Sequence, residues 1–242
     1  MSTRRKRGLG YWLEVLELTA IGALARGVDL LVLLRRPGLL WTYGRLLFAH
    51  LWNSPYRWPR GFEAVRARSA AGIEEHELVY GETPVFSAWW ILRRAGLKRG
   101  QTFVDLSAGR GRPLLGAKLL TDAVFGFELI EDRARPVAQI LGRAGIRLKV
   151  GDGTAADLSS VDVAMVTWTG FSASLKFRFE EAASRLPLGA RLVAVDRPMD
   201  REGFSERARL DVLCTWGVVP VWIYERVDSA PGTGYTSAHG DP

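Results

Sequence analysis

Acidic residues and glycines in the middle of the chain have the spacing of a nucleoside-binding site. Residues 104–111 read VDLSAGRG, and Glu128 follows Asp105 by 23 positions. Gly109 and Gly111 would let a ligand approach the backbone at a turn between a strand and a helix. An acidic residue that ends the next strand, here Glu128, can accept hydrogen bonds from both ribose hydroxyls. Asp152, which follows a third predicted strand, lies where an adenine amino group could be bound.

The same residues indicate which nucleoside the predicted site would bind. A dinucleotide fingerprint would read G-x-G-x-x-G, but Ser107 stands at its first position. A phosphate-binding loop needs Gly-Lys-Ser/Thr, and the sequence contains none. An acidic residue at the strand end suits a ligand that carries positive charge and no phosphate. S-adenosylmethionine has a sulfonium, an ammonium and no phosphate, so it is the predicted cofactor.

Alternating strands and helices must position these residues. Buried or alternating apolar runs predict strands, and capping and periodicity predict helices. The predicted strands cover residues 101–107, 123–129, 147–150, 161–168, 191–196, 210–216 and 219–227, and the predicted helices cover 83–96, 112–120, 131–144 and 173–186. This alternation predicts an α/β, doubly wound, mostly parallel sheet.

Two further segments carry a family resemblance. Together with the motif at residues 104–111, which resembles motif I of the class I methyltransferases, residues 78–83 (LVYGET) resemble the VYGET segment of the non-SET histone-lysine methyltransferases, the disruptor-of-telomeric-silencing type. Residues 186–193 (LPLGARLV) and 221–224 (VWIY) are similar to the lysine methyltransferases of the ATP synthase c-subunit. The resemblance covers about residues 74–227.

The resemblance implies a seven-stranded, Rossmann-like methyltransferase sheet that transfers a methyl group to a protein lysine. It also implies a cofactor site. Tyr80, Glu82 and Thr83 would contact S-adenosylmethionine. Asp105, Gly109 and Gly111 would line its methionine and ribose side, Glu128 would hold the ribose, and Asp152 the adenine.

Three positions depart from the family pattern. Ser107 replaces a glycine but is small enough to keep the turn, and Arg112, which is unexpected beside a cationic cofactor, is predicted to point to solvent. The asparagine pair expected after the fourth strand is replaced by residues 167–171 (TWTGF), which puts nucleosomal histone in doubt as the substrate.

Catalytic candidates come from this replacement segment. Thr167 or Thr169 could accept a hydrogen bond from the amine. Trp168 and Phe171 could line a dry channel that disfavours the ammonium form of a lysine. A position in the packed core is an equal alternative for Trp168. Thr167 and Trp168 are therefore the predicted catalytic residues.

The positive charge of the chain belongs to its first part. Residues 1–70 hold 12 Lys and Arg against 4 Asp and Glu, whereas the remainder is nearly balanced. On a helical wheel Glu14, Glu17, Arg26 and Asp29 fall within one half, which predicts an amphipathic helix. Its apolar half could pack on the catalytic domain or lie in a membrane interface. No uncharged run reaches the roughly 18 residues of a spanning helix.

The predicted organisation is a basic, helical region over residues 1–70, the methyltransferase domain over 71–228 and a disordered tail over 229–242. A single cysteine, Cys214, excludes an intrachain disulfide and fits a cytoplasmic protein, either free or peripheral at a membrane. The substrate is a protein lysine or, alternatively, a small amine or lipid at a membrane surface. A catalytically inactive interaction subunit is a third hypothesis. Nucleic acid is disfavoured because the catalytic domain is near neutral.

Overall fold

The computed structural model describes residues 9–52 and 82–228 of the 242-residue chain. The predicted tail at 229–242, the domain boundary at residue 70 and the candidate Tyr80 lie outside the described residues.

Helices and strands alternate along the described part of the chain as the sequence predicts. The helices are α1 (Leu9–Leu33), α2 (Gly38–Trp52), α3 (Val85–Arg94), α4 (Arg112–Lys118), α5 (Glu131–Gly142) and α6 (Ala173–Ala183). The strands are β1 (Thr102–Asp105), β2 (Ala123–Glu128), β3 (Ile146–Val150), β4 (Val163–Thr167), β5 (Arg191–Val195), β6 (Phe204–Cys214) and β7 (Gly217–Arg226).

All seven strands form one sheet in the order β3-β2-β1-β4-β5-β7-β6. Strands β1 to β5 pair in parallel, and β7 is antiparallel to both β5 and β6. The strand order reverses between β1 and β4, which places a crevice at the carboxyl ends of these two strands. The predicted fold, a mostly parallel seven-stranded Rossmann-like sheet, is therefore confirmed.

Helices cover the two faces of the sheet unequally. Alternate strand residues point to opposite faces, so that Phe103 and Val104 of β1 belong to different apolar clusters. The cluster with Phe103 includes residues of α1 to α5, whereas α6 supplies the only helical residues of the second cluster in the described part of the chain. The carboxyl ends of the strands lie between these two layers.

The N-terminal helices pack on the same face as α3, α4 and α5. Leu33 of α1 and Leu39 and Leu46 of α2 are buried in the larger apolar cluster. This packing agrees with one of the two predicted uses of the apolar half of α1.

One residue of the predicted polar half occupies a different place. Arg26 is exposed, but Asp29 is completely buried, where it accepts hydrogen bonds from Tyr43 and the backbone of Phe86. Asp29 therefore departs from the amphipathic pattern, in which the charged half of a helix faces solvent. A helical wheel assigns an acidic residue to the polar face because it cannot anticipate partners from distant segments.

The outward surface of α1 and α2 is unusually apolar. Large hydrophobic side chains are exposed along it, with Leu31 at 65% and Trp41 at 74% of their full exposure. The others are Leu24, Leu30, Leu34 and Phe48. No helix within residues 9–52 and 82–228 has the length and apolar character needed to cross a bilayer.

Candidate functional site

A cleft opens at the carboxyl ends of the central strands, where the strand order reverses. It contains about 1030 Å³ of space without protein atoms, part of which is open to solvent. Its walls come from the turns after β1 and β2, the loops after β3 and β4, the segment before α3, and α6. Ligands of open α/β sheets bind at this position, so the cleft is the candidate functional site.

The turn after β1 and the end of β2 are joined by Glu128. The backbone N–H of Gly109 donates to Glu128 Oε2 across 2.9 Å, and the N–H of Ile130 donates to Oε1 across 2.9 Å. Glu128 lines the cleft although its residue is only 6% exposed. Burial raises the pKa of the Glu128 carboxyl, against the lowering effect of Arg133 and the two backbone N–H groups. The two N–H donors fix the carboxyl in one orientation.

Asp105 lies buried at the end of β1. Its Oδ1 accepts the Ser107 N–H at 3.0 Å, and its Oδ2 has no hydrogen-bond partner among the described residues. Burial raises the pKa of Asp105 to about 7; the Ser107 N–H lowers it, and the Glu128 charge adds to the increase. The carboxyl does not line the cleft itself, so it supports the turn after β1.

Ser107 connects the ends of the two strands that flank the switch point. Its hydroxyl accepts the backbone N–H of Thr167 at 2.9 Å and donates to the Thr167 carbonyl oxygen at 3.2 Å. A glycine at this position, as in the family pattern, would lack both bonds. The serine therefore keeps the turn and adds a link to β4.

The predicted glycines have different local roles. Gly109 and Gly111 have φ values of 54° and 80°, in the left-handed region that favours glycine. A Cβ on Gly111 would also lie 2.5 Å from Leu141 of α5, so this glycine allows α4 and α5 to pack closely. Gly111 does not line the cleft, whereas Gly109 does.

Asp152 also lines the cleft. It accepts hydrogen bonds from the N–H and the hydroxyl of Thr154 and forms an ion pair with Arg178 of α6. Gly153, which the sequence analysis did not select, also lines the cleft next to it. A Cβ on Gly153 would lie 2.1 Å from the Leu106 carbonyl oxygen, so the close approach of these two segments requires a glycine.

The segment after β4 separates into a wall of the cleft and a part of the core. Thr167, Thr169 and Phe171 line the cleft. Trp168 is completely buried in the apolar cluster under α6, and its indole N–H donates to the Arg197 carbonyl oxygen at 2.8 Å. This position corrects the expectation that Trp168 lines a substrate channel, because consecutive residues at the end of a strand point to opposite sides.

Glu82 and Thr83 line the cleft on the side of α3. Glu82 accepts a hydrogen bond from Arg112 at 2.9 Å, and Thr83 Oγ1 is 3.9 Å from the sulfur of Cys214. Arg112 was predicted to point to solvent, but it is only 2% exposed. The sequence contained a signal for it, an arginine at an unexpected position after Gly111, but none for its partners.

The fold is that of S-adenosylmethionine-dependent methyltransferases. An RNA methyltransferase from Salinibacter ruber, solved in complex with S-adenosyl-L-homocysteine, is similar over 62% of this chain and 96% of its own, with 21% identity and a TM-score of 0.52. TrmN from Thermus thermophilus is similar over 63% of this chain and 52% of its own, with 22% identity and a TM-score of 0.53. No protein-family model matches the sequence, and neither does any curated protein.

Proposed function

We propose that the chain is an S-adenosylmethionine-dependent methyltransferase whose acceptor is an amine, a protein lysine first of all. The observation that carries the proposal is the buried Glu128 carboxyl at the end of β2, held by two backbone N–H groups in a cleft at the switch point. Each of its oxygens keeps a further lone pair that can accept a hydrogen bond from a ribose hydroxyl.

The residues of the cleft fit a cationic nucleoside. Glu82, Glu128 and Asp152 supply carboxyls along its walls. Four arginines also line the cleft: Arg110, Arg112, Arg133 and Arg178. Arg112 and Arg178 are each bound to one of the carboxyls. Burial raises the pKa of Glu128, and the charge of Arg133 partly offsets that increase. Glu128 would hold the ribose, Asp152 the adenine, and Glu82 the methionine ammonium.

S-adenosylmethionine, when bound, supplies the methyl group and the driving force for its transfer. The protein has to align the acceptor and exclude water. Phe171 lies against Phe179 with 5.2 Å between ring centroids, and both line the cleft. These rings lower the local polarity and thereby favour a neutral amine over an ammonium.

The hydroxyl of Thr169 supports the proposal that the group to be methylated carries an N–H that can donate a hydrogen bond. Thr169 Oγ1 is buried in the wall of the cleft and has no hydrogen-bond partner among the described residues. An unsatisfied buried hydroxyl costs about 1–3 kcal/mol, which an amine N–H would recover. The acceptor nitrogen is therefore proposed to bind beside Thr169, in the part of the cleft that Thr167 also lines.

Titration of the purified protein with S-adenosylmethionine by calorimetry tests the cofactor. We expect micromolar binding by the wild type, loss of binding in Glu128→Ala, and unchanged binding in Glu131→Ala. Glu131 is the matched control because it is exposed, three positions away, and pairs only with the exposed Arg135 among the described contacts. Absence of binding to the folded wild type would overturn the proposal and favour an inactive interaction subunit.

Transfer of a labelled methyl group to whole-cell fractions tests the acceptor. Label in protein that survives acid hydrolysis as methyl-lysine would support the proposed substrate. Label in the lipid fraction would select the lipid alternative, and label in the RNA fraction would select the substrate class named for the Salinibacter ruber enzyme described above. Either of the last two results would contradict a protein substrate.

A bilayer surface is the proposed place of action. The exposed side chains of α1 and α2, with Trp41 and Leu31 the most exposed, form the apolar part of an interfacial surface, and Arg26 and Arg35 are exposed near them. Vesicles that contain anionic lipid should co-sediment with the wild type, and the variant Leu31→Glu/Trp41→Glu should remain in the supernatant. Equal sedimentation of both proteins would contradict this location.

A further inference from the structure

A buried group of four polar side chains joins the N-terminal helices to the cleft. Arg112, the first residue of α4, has a side chain that is 3% exposed. Its guanidinium donates to Glu82 at 2.9 Å and to the Tyr43 hydroxyl oxygen at 3.0 Å, and it lies 3.6 Å from the Asp29 carboxylate. The N-terminal helices α1 and α2, the segment before α3, and α4 thus all contribute to this group of Asp29, Tyr43, Glu82 and Arg112, which we call the Arg112 cluster.

Asp29 and Tyr43 form the end of the Arg112 cluster that is remote from the cleft. The Tyr43 hydroxyl donates to Asp29 Oδ2 at 2.7 Å, and the Phe86 N–H donates to Asp29 Oδ1 at 2.9 Å. Both side chains are completely buried. Each oxygen of the carboxylate therefore has a partner, and the tyrosine oxygen is both donor and acceptor. This arrangement leaves the Arg112 guanidinium little freedom to move.

Glu82 forms the end of the Arg112 cluster that faces the cleft. Its backbone is already fixed, since its N–H donates to Thr215 Oγ1 at 2.9 Å and its carbonyl accepts the Thr215 N–H at 3.1 Å. The side chain of Glu82 lies at the wall of the cleft, where Arg112 is one of its partners. A displacement of Arg112 would therefore move the Glu82 carboxyl.

The Arg112 cluster is expected to contribute little net free energy to the packing of α1 and α2. Buried ionic groups contribute little net stability compared with apolar side chains of the same size, because desolvation offsets their attraction. The helices already bury Leu33, Leu39 and Leu46 in the core. Attachment of the helices therefore does not account for the charged residues, whereas the positioning of a charge at the cleft does.

We infer that α1 and α2 belong to the cofactor site: Tyr43 and Asp29 are positioning residues that act through Arg112 on Glu82. This inference rests on the proposed function, in which Glu82 contacts the ammonium group of S-adenosylmethionine. The isolated Rossmann-like domain would then be an incomplete binding unit. The N-terminal helices would be required for affinity, beyond any contact that they make with a surface.

A double-mutant cycle on cofactor affinity tests the inference. Removal of Arg112 or Asp29 would leave an opposite charge buried without compensation, so the milder Tyr43→Phe is the appropriate variant. Tyr43→Phe removes two hydrogen bonds to charged groups, the one that Tyr43 donates to Asp29 and the one that it accepts from Arg112. This change should weaken S-adenosylmethionine binding about tenfold. In a Glu82→Gln background, the same change should have little further effect, because the residue on which it acts has lost its charge.

The control is Leu46→Val, which disturbs the packing of α2 without a change in the Arg112 cluster. It should lower the melting temperature and leave the affinity unchanged while the protein is folded. An equal loss of affinity from Tyr43→Phe in both backgrounds would overturn the inference, and so would unchanged affinity in Tyr43→Phe. Failure of the proposed function would be seen separately, as absence of binding by the wild type.

Discussion

The backbone N–H of Gly109 donates to Glu128 Oε2 across 2.9 Å, so the turn after β1 and the end of β2 hold each other in place. The bond explains how a short glycine-containing turn keeps one shape at the edge of an open cleft. It also means that Gly109 contributes to the site mainly by orienting a carboxyl. Changes near this turn should therefore affect ligand binding through geometry as well as through direct contact.

The first prediction concerns the pH dependence of stability. Burial raises the pKa of Asp105 from 3.8 to about 7, so the folded protein holds this proton more tightly than the unfolded chain. The stability contributed by the protonated carboxyl is fully present below about pH 4 and is lost as the pH rises through 7. Asp105→Asn keeps an uncharged side chain of similar shape and should remove this dependence.

Denaturant unfolding at pH 5 and pH 8 measures the effect. The quantity to compare is the free energy of unfolding of Asp105→Asn minus that of wild type. This difference should be on the order of 3 kcal/mol larger at pH 8 than at pH 5. Asp132→Asn, at an exposed position on α5, should follow the wild-type curve. Parallel curves for wild type and Asp105→Asn would show that this carboxyl keeps an ordinary pKa in the folded protein.

The second prediction concerns the link between β1 and β4. Ser107→Ala removes the hydroxyl that bonds to both backbone groups of Thr167 and leaves the Thr167 N–H without its partner. We expect a loss of about 1–3 kcal/mol in the free energy of unfolding. The exposed Ser160 supplies the control, since Ser160→Ala should change that free energy by less than about 0.5 kcal/mol. Similar values for the two variants would mean that the link carries no stability.

Much of the fold could be predicted because local patterns determine it. The ends of most strands and helices agree with the sequence analysis to within a few residues, since strong apolar runs and glycine turns mark them. Strand β6 is the exception: it begins at Phe204, whereas residue 210 was expected. Residues 204–209 are largely polar and lie in an edge strand, where exposure removes the apolar pattern that identifies a strand.

The candidate site was predicted less completely because some of its contacts join distant segments. Glu128 and Asp152 could be found from their spacing after predicted strands, and both line the cleft. The pairing of Arg112 with Asp29 joins positions 83 residues apart, and no local pattern reports it. An argument from composition also assigns an aspartate to the surface, so it does not identify one that is buried.

The third prediction separates a core residue from a cleft residue in the same segment. Trp168→Phe should lower the free energy of unfolding by about 1–3 kcal/mol, because the Arg197 carbonyl loses the indole N–H donor. The rate of methyl transfer in the folded variant should stay within about twofold of wild type. Phe171→Ala should show the reverse pattern, with a larger loss of rate than of stability, because Phe171 lines the cleft. A large loss of rate in Trp168→Phe would restore a catalytic role for the indole.

The last prediction concerns the close approach of two segments behind the cleft. In Gly153→Ala the new methyl group would lie 2.1 Å from the Leu106 carbonyl oxygen, a backbone atom that cannot rotate away. The loop that carries Asp152 or the turn after β1 must therefore shift. We expect a lower melting temperature and at least about tenfold weaker cofactor binding, since both segments line the cleft.

Gly142→Ala is the control, because a Cβ there meets no atom within 4 Å at the end of helix α5. It should leave binding unchanged and raise stability by up to about 1 kcal/mol. If Gly153→Ala binds as tightly as Gly142→Ala, the two segments move independently of the bound ligand, and the glycine would serve folding alone.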